Sequence, residues 1–202
     1  EEMGDQHVLL AYNRGVLEFM SPGPMHEDHK GRLNRLVYVL TEELDVPCKG
    51  YGSTMWKALE AHRGLEADDC FYLTIDFYLT IEKITAARQP ARDRSNDSND
   101  YPRPDLAIEI DLRPSAVDRP EIYATLGVPE VWRYDGETLR ISRLGLDGTY
   151  ADVAESGFLA IKAEEVVHWL QDFDTEGTTA RARLLREWIR AELIGRVRDD
   201  GS

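Results

Sequence analysis

The chain has 202 residues, of which 42% are hydrophobic and 9% aromatic, and this is enough to form one substantial core. Its formal net charge of -14 disfavours loose electrostatic binding to nucleic acid. The longest apolar run, residues 36–40, is far shorter than the ~18 residues of a membrane span, so we expect a cytoplasmic protein without membrane contact. Cys48 and Cys70 are not spaced for structural zinc or a redox dithiol.

A mixed α/β fold is predicted, because short strands alternate with helices along the chain. Turn residues bound the strands, and apolar residues at every third or fourth position indicate the helices. In chain order we expect strands over 7–12 and 16–20, a helix over 25–45, strands over 53–58 and 70–81, a polar loop over 86–104, a strand over 106–110, a helix over 117–126, strands over 131–134, 139–144 and 150–153, and helices over 163–170 and 178–195. The sequence has no fixed-period repeat, and too little chain lies on either side of the polar loop for two cores. We therefore expect one domain over 1–202, with its core at about 7–170.

Several familiar catalytic motifs do not occur in the sequence, among them GxGxxG, GxxxxGK[ST] and GxSxG. The segment His26-Glu27-Asp28-His29 is close to the HExxH zinc motif, but its histidines are three positions apart and such a site needs a third ligand. We interpret the segment as the acidic first turn of a helix, where the helix dipole favours negative charge.

Two acids are candidates for chemistry. Glu109 lies inside an apolar strand between two isoleucines, and a buried acid must be paired or hold a metal ion. Strand alternation puts it on one face with Asp105 and Asp111, so a solvated acidic face of an antiparallel strand is the other interpretation. Asp68 comes directly before the strand predicted over 70–81, where an ordinary turn also favours aspartate.

Five short segments form a pattern that goes beyond secondary structure. They are Ser21-Pro22 before His26-Glu27, Gly52-Ser53-Thr54, and the segments 64–72, 104–110 and 123–132. Together they resemble the Uma-two family of restriction-endonuclease-like proteins, in the PD-(D/E)XK nuclease superfamily. The resemblance runs from about residue 7 to residue 170. It implies a restriction-endonuclease-like core, with a mixed sheet flanked by helices, an N-terminal hairpin and a C-terminal helical extension.

Matching positions assign the site residues that the resemblance implies. Asp68 falls on the aspartate of the first Pro-Asp motif, with alanine in place of the proline, and Glu109 falls on the acid of the next core strand. The superfamily lysine comes two residues later, where this chain has Asp111. In Uma-two relatives it lies on the following helix, four residues before a tyrosine, where this chain has Arg119. Glu27 is the best match for the acid of the first helix.

The chemistry implied is hydrolysis of a phosphodiester in DNA by an endonuclease that uses Mg²⁺ or Mn²⁺. Asp68 and Glu109 are then metal ligands, joined by the backbone carbonyl of Ile110, and by Asp105 directly or through water. Arg119 is the cation that stabilises charge on the phosphate. Because a guanidinium keeps its proton, with a pKa above ~12, it cannot replace a lysine that acts as a base.

Three functions stay open at this point: a Mg²⁺-dependent DNA endonuclease, a nuclease-derived module that no longer cleaves and binds a protein or nucleic-acid partner, and a hydrolase of a smaller phosphate ester. Two groups of arginines either follow a DNA backbone or form a solvated face paired with acids, namely Arg181, Arg183, Arg186 and Arg190, and the loop residues Arg88, Arg92 and Arg94. Apolar residues predict that one side of the last helices packs on the sheet or on a second subunit; they are Trp169, Leu184, Leu185, Trp188 and Ile189. Restriction-like nucleases are frequently dimers, so the resemblance implies a homodimer.

Overall fold

The computed structural model describes residues 8–74, 101–171 and 177–199. Within these ranges the strands are β1 (Leu9–Asn13), β2 (Val16–Met20), β3 (Lys49–Gly50), β4 (Met55–Ala58), β5 (Arg63–Glu66), β6 (Asp69–Tyr72), β7 (Leu106–Ile110), β8 (Glu130–Tyr134), β9 (Leu139–Leu144) and β10 (Tyr150–Val153). The helices are α1 (Pro24–Leu44), α2 (Arg119–Leu126), α3 (Ala163–Gln171), α4 (Gly177–Trp188) and α5 (Ile194–Asp199). A 3₁₀ turn covers Leu59–Ala61, and a π-helical turn, Ile189–Leu193, joins α4 to α5.

The strands form two sheets, and helices flank them, so the mixed α/β fold is confirmed. Among the described residues, the larger sheet has six strands in the order β10-β9-β8-β7-β6-β3, and the smaller has four in the order β2-β1-β5-β4. Among the described strands, β7 and β8 are the parallel pair, and the other pairs are antiparallel. In the described part of the chain, no helix is both long enough and apolar enough to cross a membrane.

Strand β7 lies at the centre of the core. Leu33, Val37 and Leu40 of α1 belong to the cluster that contains Ile108 on one side of β7. On the other side, Ala107 packs in a second cluster with side chains from α2 and the small sheet. All five residues of β7 are buried, so the solvated acidic face considered for this strand is wrong. The interpretation failed because both faces are covered, as is usual for strands in parallel pairs.

Most element bounds agree with the sequence-based expectations to within one or two residues. The first hairpin turns through Arg14 (φ 47°) and Gly15 (φ 100°), as expected for a two-residue turn. The strand predicted over 70–81 corresponds to β6 but ends at Tyr72, since Leu73 and Thr74 are not in a strand. Residues 75–81 and 86–100 lie outside the described residues. Strands β3 and β5 were not predicted, because two residues give no pattern and Arg-Gly-Leu-Glu has little strand preference.

A glycine on the exposed face of α1 offers a test of this fold. A Cβ added at Gly31 would meet no atom within 4 Å. Gly31→Ala is therefore expected to raise the free energy of unfolding by about 0.5–1 kcal/mol, because alanine prefers the helix.

A Cβ at Gly64 would lie 2.9 Å from the carbonyl oxygen of Trp56, so Gly64→Ala is expected to lower the free energy of unfolding by about 1–3 kcal/mol. Urea unfolding measures the change in stability for Gly31→Ala and for Gly64→Ala. Equal changes would contradict the close approach of Gly64 to Trp56 in the β4–β5 pair.

Candidate active site

Asp68 is held against the end of β7 by two hydrogen bonds. Its backbone N–H donates to the carbonyl of Ile108 at 3.1 Å, and its Oδ2 accepts from the N–H of Ile110 at 2.7 Å. The residue lies directly before β6, which pairs antiparallel with β7, and it is completely buried. The side chain is therefore fixed at the carboxyl end of β7, bonded to the residue that follows Glu109.

Glu109, at 1% exposure, is bound by two side chains of α2. Its Oε2 accepts from Nη1 of Arg119 at 2.5 Å, and its Oε1 accepts from the hydroxyl of Tyr123. These donors are four residues apart and so lie on the same face of the helix. Burial raises the pKa of Glu109, the guanidinium of Arg119 lowers it, and the charge of Asp68 raises it. Burial is the largest of these effects, and the net result is a pKa of Glu109 raised to about 8.

Arg119 joins the two sheets. While Nη1 contacts Glu109 on β7, Nη2 donates to Oε1 of Glu18 on β2 at 3.1 Å. Glu18 also accepts from the hydroxyl of Ser115 at 3.0 Å, just before α2. Burial lowers the pKa of Arg119, but Glu109 and Glu18 more than offset this and raise it. The guanidinium therefore stays charged between two carboxylates, and Glu18 is a site residue that sequence reasoning missed.

His26 brings helix α1 into the site. It lies in the first turn of α1, is 4% exposed, and has Nε2 at 3.0 Å from Oδ1 of Asp68. Its Nδ1 lies 3.3 Å from Oε1 of Glu27, which also contacts Lys30 at 3.4 Å. Burial lowers the pKa of His26, but Asp68 and Glu27 more than offset this and raise it above 6.5. Among the described contacts, Glu27 thus reaches the candidate site through His26.

Two other predicted acids have different surroundings. Asp105 precedes β7, and its Oδ2 accepts from the N–H of Leu73 at 2.7 Å and from the hydroxyl of Thr74 at 3.1 Å. It stands four residues before Glu109, which is about 13 Å along a strand, so the structure does not bring Asp105 to the other candidates. Asp111 accepts from Nε of Arg133 at 2.7 Å, across the β7–β8 pair.

An open cavity of about 690 Å³ gives solvent access to this cluster. It lies between strand β2, the start of α1 and the segment that follows β7. Its lining includes Glu18, Met20, His26, Ile110, Asp111 and Arg119. A ligand in the cavity therefore reaches the imidazole and the guanidinium, while the carboxylates of Asp68 and Glu109 lie behind them.

The residues present fit a hydrated divalent cation. Across the described ranges, no group of three or more His, Cys, Asp or Glu side chains has metal-binding geometry. Mg²⁺, however, is commonly held by one or two carboxylates and keeps several waters. Oδ1 of Asp68 is buried and has no hydrogen-bond partner within residues 8–74, 101–171 and 177–199. Such an oxygen is costly unless a positive charge lies close to it, and either the protonated ring of His26, at 3.0 Å, or a bound cation provides one.

Two arginines near the C-terminus, Arg186 and Arg190, are paired with acids of α1. Arg186 contacts Glu42 and Glu43, and Arg190 contacts Glu43 at 2.6 Å. Arg181 lies over the ring of Trp169, with 4.5 Å from Cζ to the ring centroid. These contacts favour the paired surface over the DNA-tracking interpretation. The loop residues Arg88, Arg92 and Arg94 lie outside the described residues.

The aspartate and the glutamate lie buried at adjacent strand ends, and carboxylates are the oxygen ligands that Mg²⁺ prefers in proteins. Residues 3–175 match the family described as "Uma2: Putative restriction endonuclease". The chain therefore belongs to the Uma2 family, and the resemblance noted from the sequence is confirmed.

Comparison with solved structures found similarity to a chain described as a putative nuclease belonging to DUF820, from Anabaena variabilis ATCC 29413. The match covers 80% of this chain and 90% of that chain, with 13% sequence identity and a TM-score of 0.49. No curated protein matches the chain.

Proposed function

We propose that this protein is an endonuclease that uses Mg²⁺ or Mn²⁺ to hydrolyse phosphodiester bonds in DNA. Membership of the Uma2 family supports a nuclease. The observation that carries the metal dependence is the fully buried Oδ1 of Asp68, which has no hydrogen-bond partner among the described residues, while Oδ2 is held by the N–H of Ile110, the residue after Glu109. Carboxylate oxygens in this arrangement suit a hard divalent cation.

The proposed ligands are the carboxylates of Asp68 and Glu109 and the backbone carbonyl of Ile110. A bound ion supplies neutralisation of the phosphate oxygens and a lowered pKa of bound water. The protein holds the two acids rigidly: the N–H of Ile110 orients Asp68, and the Tyr123 hydroxyl orients Glu109. Arg119, which lines the cavity, is placed to stabilise charge on a phosphate there. Asp105 is left out of the set because it lies at the other end of β7.

A second candidate function, a module that binds a partner without cleaving, is favoured by one observation. Arg119 stands in the lysine position, and its two terminal nitrogens contact Glu109 and Glu18. A guanidinium held in this way neither accepts a proton nor is free to follow a phosphate.

The homodimer stays a prediction, and sedimentation equilibrium tests it.

Asp68→Asn is the direct test of the proposed function. For the wild-type protein, Mn²⁺ at about 100 times its Kd is expected to raise Tm by about 5–10 °C, and plasmid nicking should require the metal. The variant keeps the shape of the side chain but loses its charge, so both effects should disappear. Differential scanning fluorimetry and a supercoiled-plasmid assay measure them.

Asp152→Asn is the matched control, because Asp152 lies on the edge strand β10 and bonds to Ser142 at 2.7 Å. It should behave as the wild type. Metal-dependent nicking that survives in Asp68→Asn would contradict the assignment of this site. Faster hydrolysis of a chromogenic phosphodiester than of plasmid would instead favour a smaller phosphate ester as the substrate.

A further inference from the structure

Arg113 is a cation in the cavity wall that no described acid neutralises. It lines the cavity together with Arg119, which is held between Glu18 and Glu109. Arg113, by contrast, is exposed and makes no hydrogen bond or ion pair with any residue of the described ranges. The N–H donors of its guanidinium are therefore available to a ligand in the cavity.

The backbone on both sides of Arg113 is tied to neighbouring strands. Two residues earlier, the N–H of Asp111 donates to the carbonyl of Tyr134 at 2.7 Å and continues the β7–β8 pair. Two residues later, the hydroxyl of Ser115 donates to Glu18 on β2 at 3.0 Å. Because these contacts already order the backbone, a ligand that binds Arg113 has mainly the side chain to immobilise.

The acids nearest to Arg113 in the cavity wall are bound to other arginines. Asp111 accepts from Nε of Arg133 at 2.7 Å, and Glu18 accepts from Nη2 of Arg119 at 3.1 Å. Among the described lysines and arginines that line the cavity, Arg113 is thus the one whose charge is not paired. A free guanidinium binds phosphate oxygens through two parallel N–H···O bonds, so this wall suits a phosphate.

The position of Arg113 relative to the candidate site decides which phosphate it meets. Arg113 follows Ile110, at the carboxyl end of β7, by three residues, which span at most about 11 Å of chain. A phosphate on Arg113 is therefore close to Asp68 and Glu109, but it lies in the open part of the cavity, while the two acids are buried behind it.

We propose that Arg113 binds a phosphate of the DNA strand next to the phosphate that is cut, and so positions the strand in the cavity. This inference rests on the proposed function and adds a substrate-binding residue to it. A local contact of this kind lets a chain with a formal net charge of -14 bind DNA without a basic surface.

Fluorescence anisotropy of a labelled DNA duplex, in Ca²⁺ and over a series of salt concentrations, tests the contact. Each neutralised phosphate contributes about 0.9 to the slope of log K against log salt concentration. Arg113→Gln should therefore reduce the slope by about 0.9 and weaken binding about tenfold at ~0.1 M salt. Arg113→Lys keeps the charge and should keep the slope. In plasmid nicking, Arg113→Gln should raise KM much more than it lowers kcat.

Arg183→Gln is the matched control, because Arg183 is also exposed and unpaired within the described chain but lies on α4, outside the cavity wall. It should bind DNA as the wild type does. An unchanged slope in Arg113→Gln, or an equal decrease in Arg183→Gln, would overturn the inference. Metal-dependent nicking by the wild type would leave the proposed function standing in both cases. If the wild type neither binds nor nicks DNA, the inference and the proposed function both fall.

Discussion

Replacing Glu109 by alanine is expected to lower the free energy of unfolding by about 3–5 kcal/mol. The change removes the acceptor for both Arg119 and Tyr123, at a position that is 1% exposed. A charge and a hydroxyl are then left in the interior, although Arg119 keeps its contact with Glu18. Urea unfolding gives the loss of stability, and the same variant should lose plasmid cleavage and the Mn²⁺-dependent rise in Tm.

The double variant Glu109→Leu/Arg119→Leu separates charge from packing. Because it removes both members of the buried pair, it should be more stable than Glu109→Ala. Glu18 loses a partner in this variant, but its side chain is 15% exposed and still accepts from Ser115. A cost below about 1 kcal/mol for Glu109→Ala would contradict the buried ion pair, and cleavage that persists in this variant would remove Glu109 from the proposed site.

Arg119→Lys is expected to increase metal-dependent cleavage of DNA by about 10²-fold or more. Lysine restores the residue type that the resemblance places here, and an ammonium gives up its proton far more readily than a guanidinium, so that the free amine can accept a proton from water. One ammonium cannot span both Glu18 and Glu109 as the guanidinium does, so we also expect a loss of stability of about 1–3 kcal/mol.

The matched control for this variant is Arg63→Lys. Arg63 also binds α2, through the hydroxyl of Thr125 at 2.5 Å and the carboxylate of Glu121, but it lies outside the site. It should lower stability without changing cleavage. Unchanged cleavage in Arg119→Lys would show that no base is missing at this position, and would contradict the idea that arginine limits the activity. Supercoiled-plasmid nicking at equal metal loading measures both variants.

Local patterns were enough to predict much of the fold. The turn at Arg14-Gly15 and the spacing of Leu33, Val37 and Leu40 predict β1, β2 and α1, because each depends on neighbours in the chain. The burial of Glu109 was uncertain for the opposite reason. It depends on β8, which reaches β7 only after the crossover through α2, and alternation within one strand does not reveal such a partner.

The candidate site was predictable in part. Asp68 and Glu109 were candidates from the residue pattern, the resemblance implied their roles as metal ligands, and the structure places both at the end of β7. Glu18 was missed because an acid in Val-Leu-Glu-Phe-Met also suits an exposed strand, and its contact with Arg119 joins residues 101 positions apart. The meeting of His26 with Asp68 likewise depends on how α1 crosses the sheet, which no local pattern records.

The guanidinium of Arg119 links the two sheets, because Nη2 contacts Glu18 on the β1–β2 hairpin and Nη1 contacts Glu109 on β7. If the hairpin separates from the rest of the protein, Glu18 moves with it, and Arg119 loses one of the two carboxylates that balance its charge. Movement of the β1–β2 hairpin is therefore coupled to the electrostatic field at Glu109, because Arg119 contacts both.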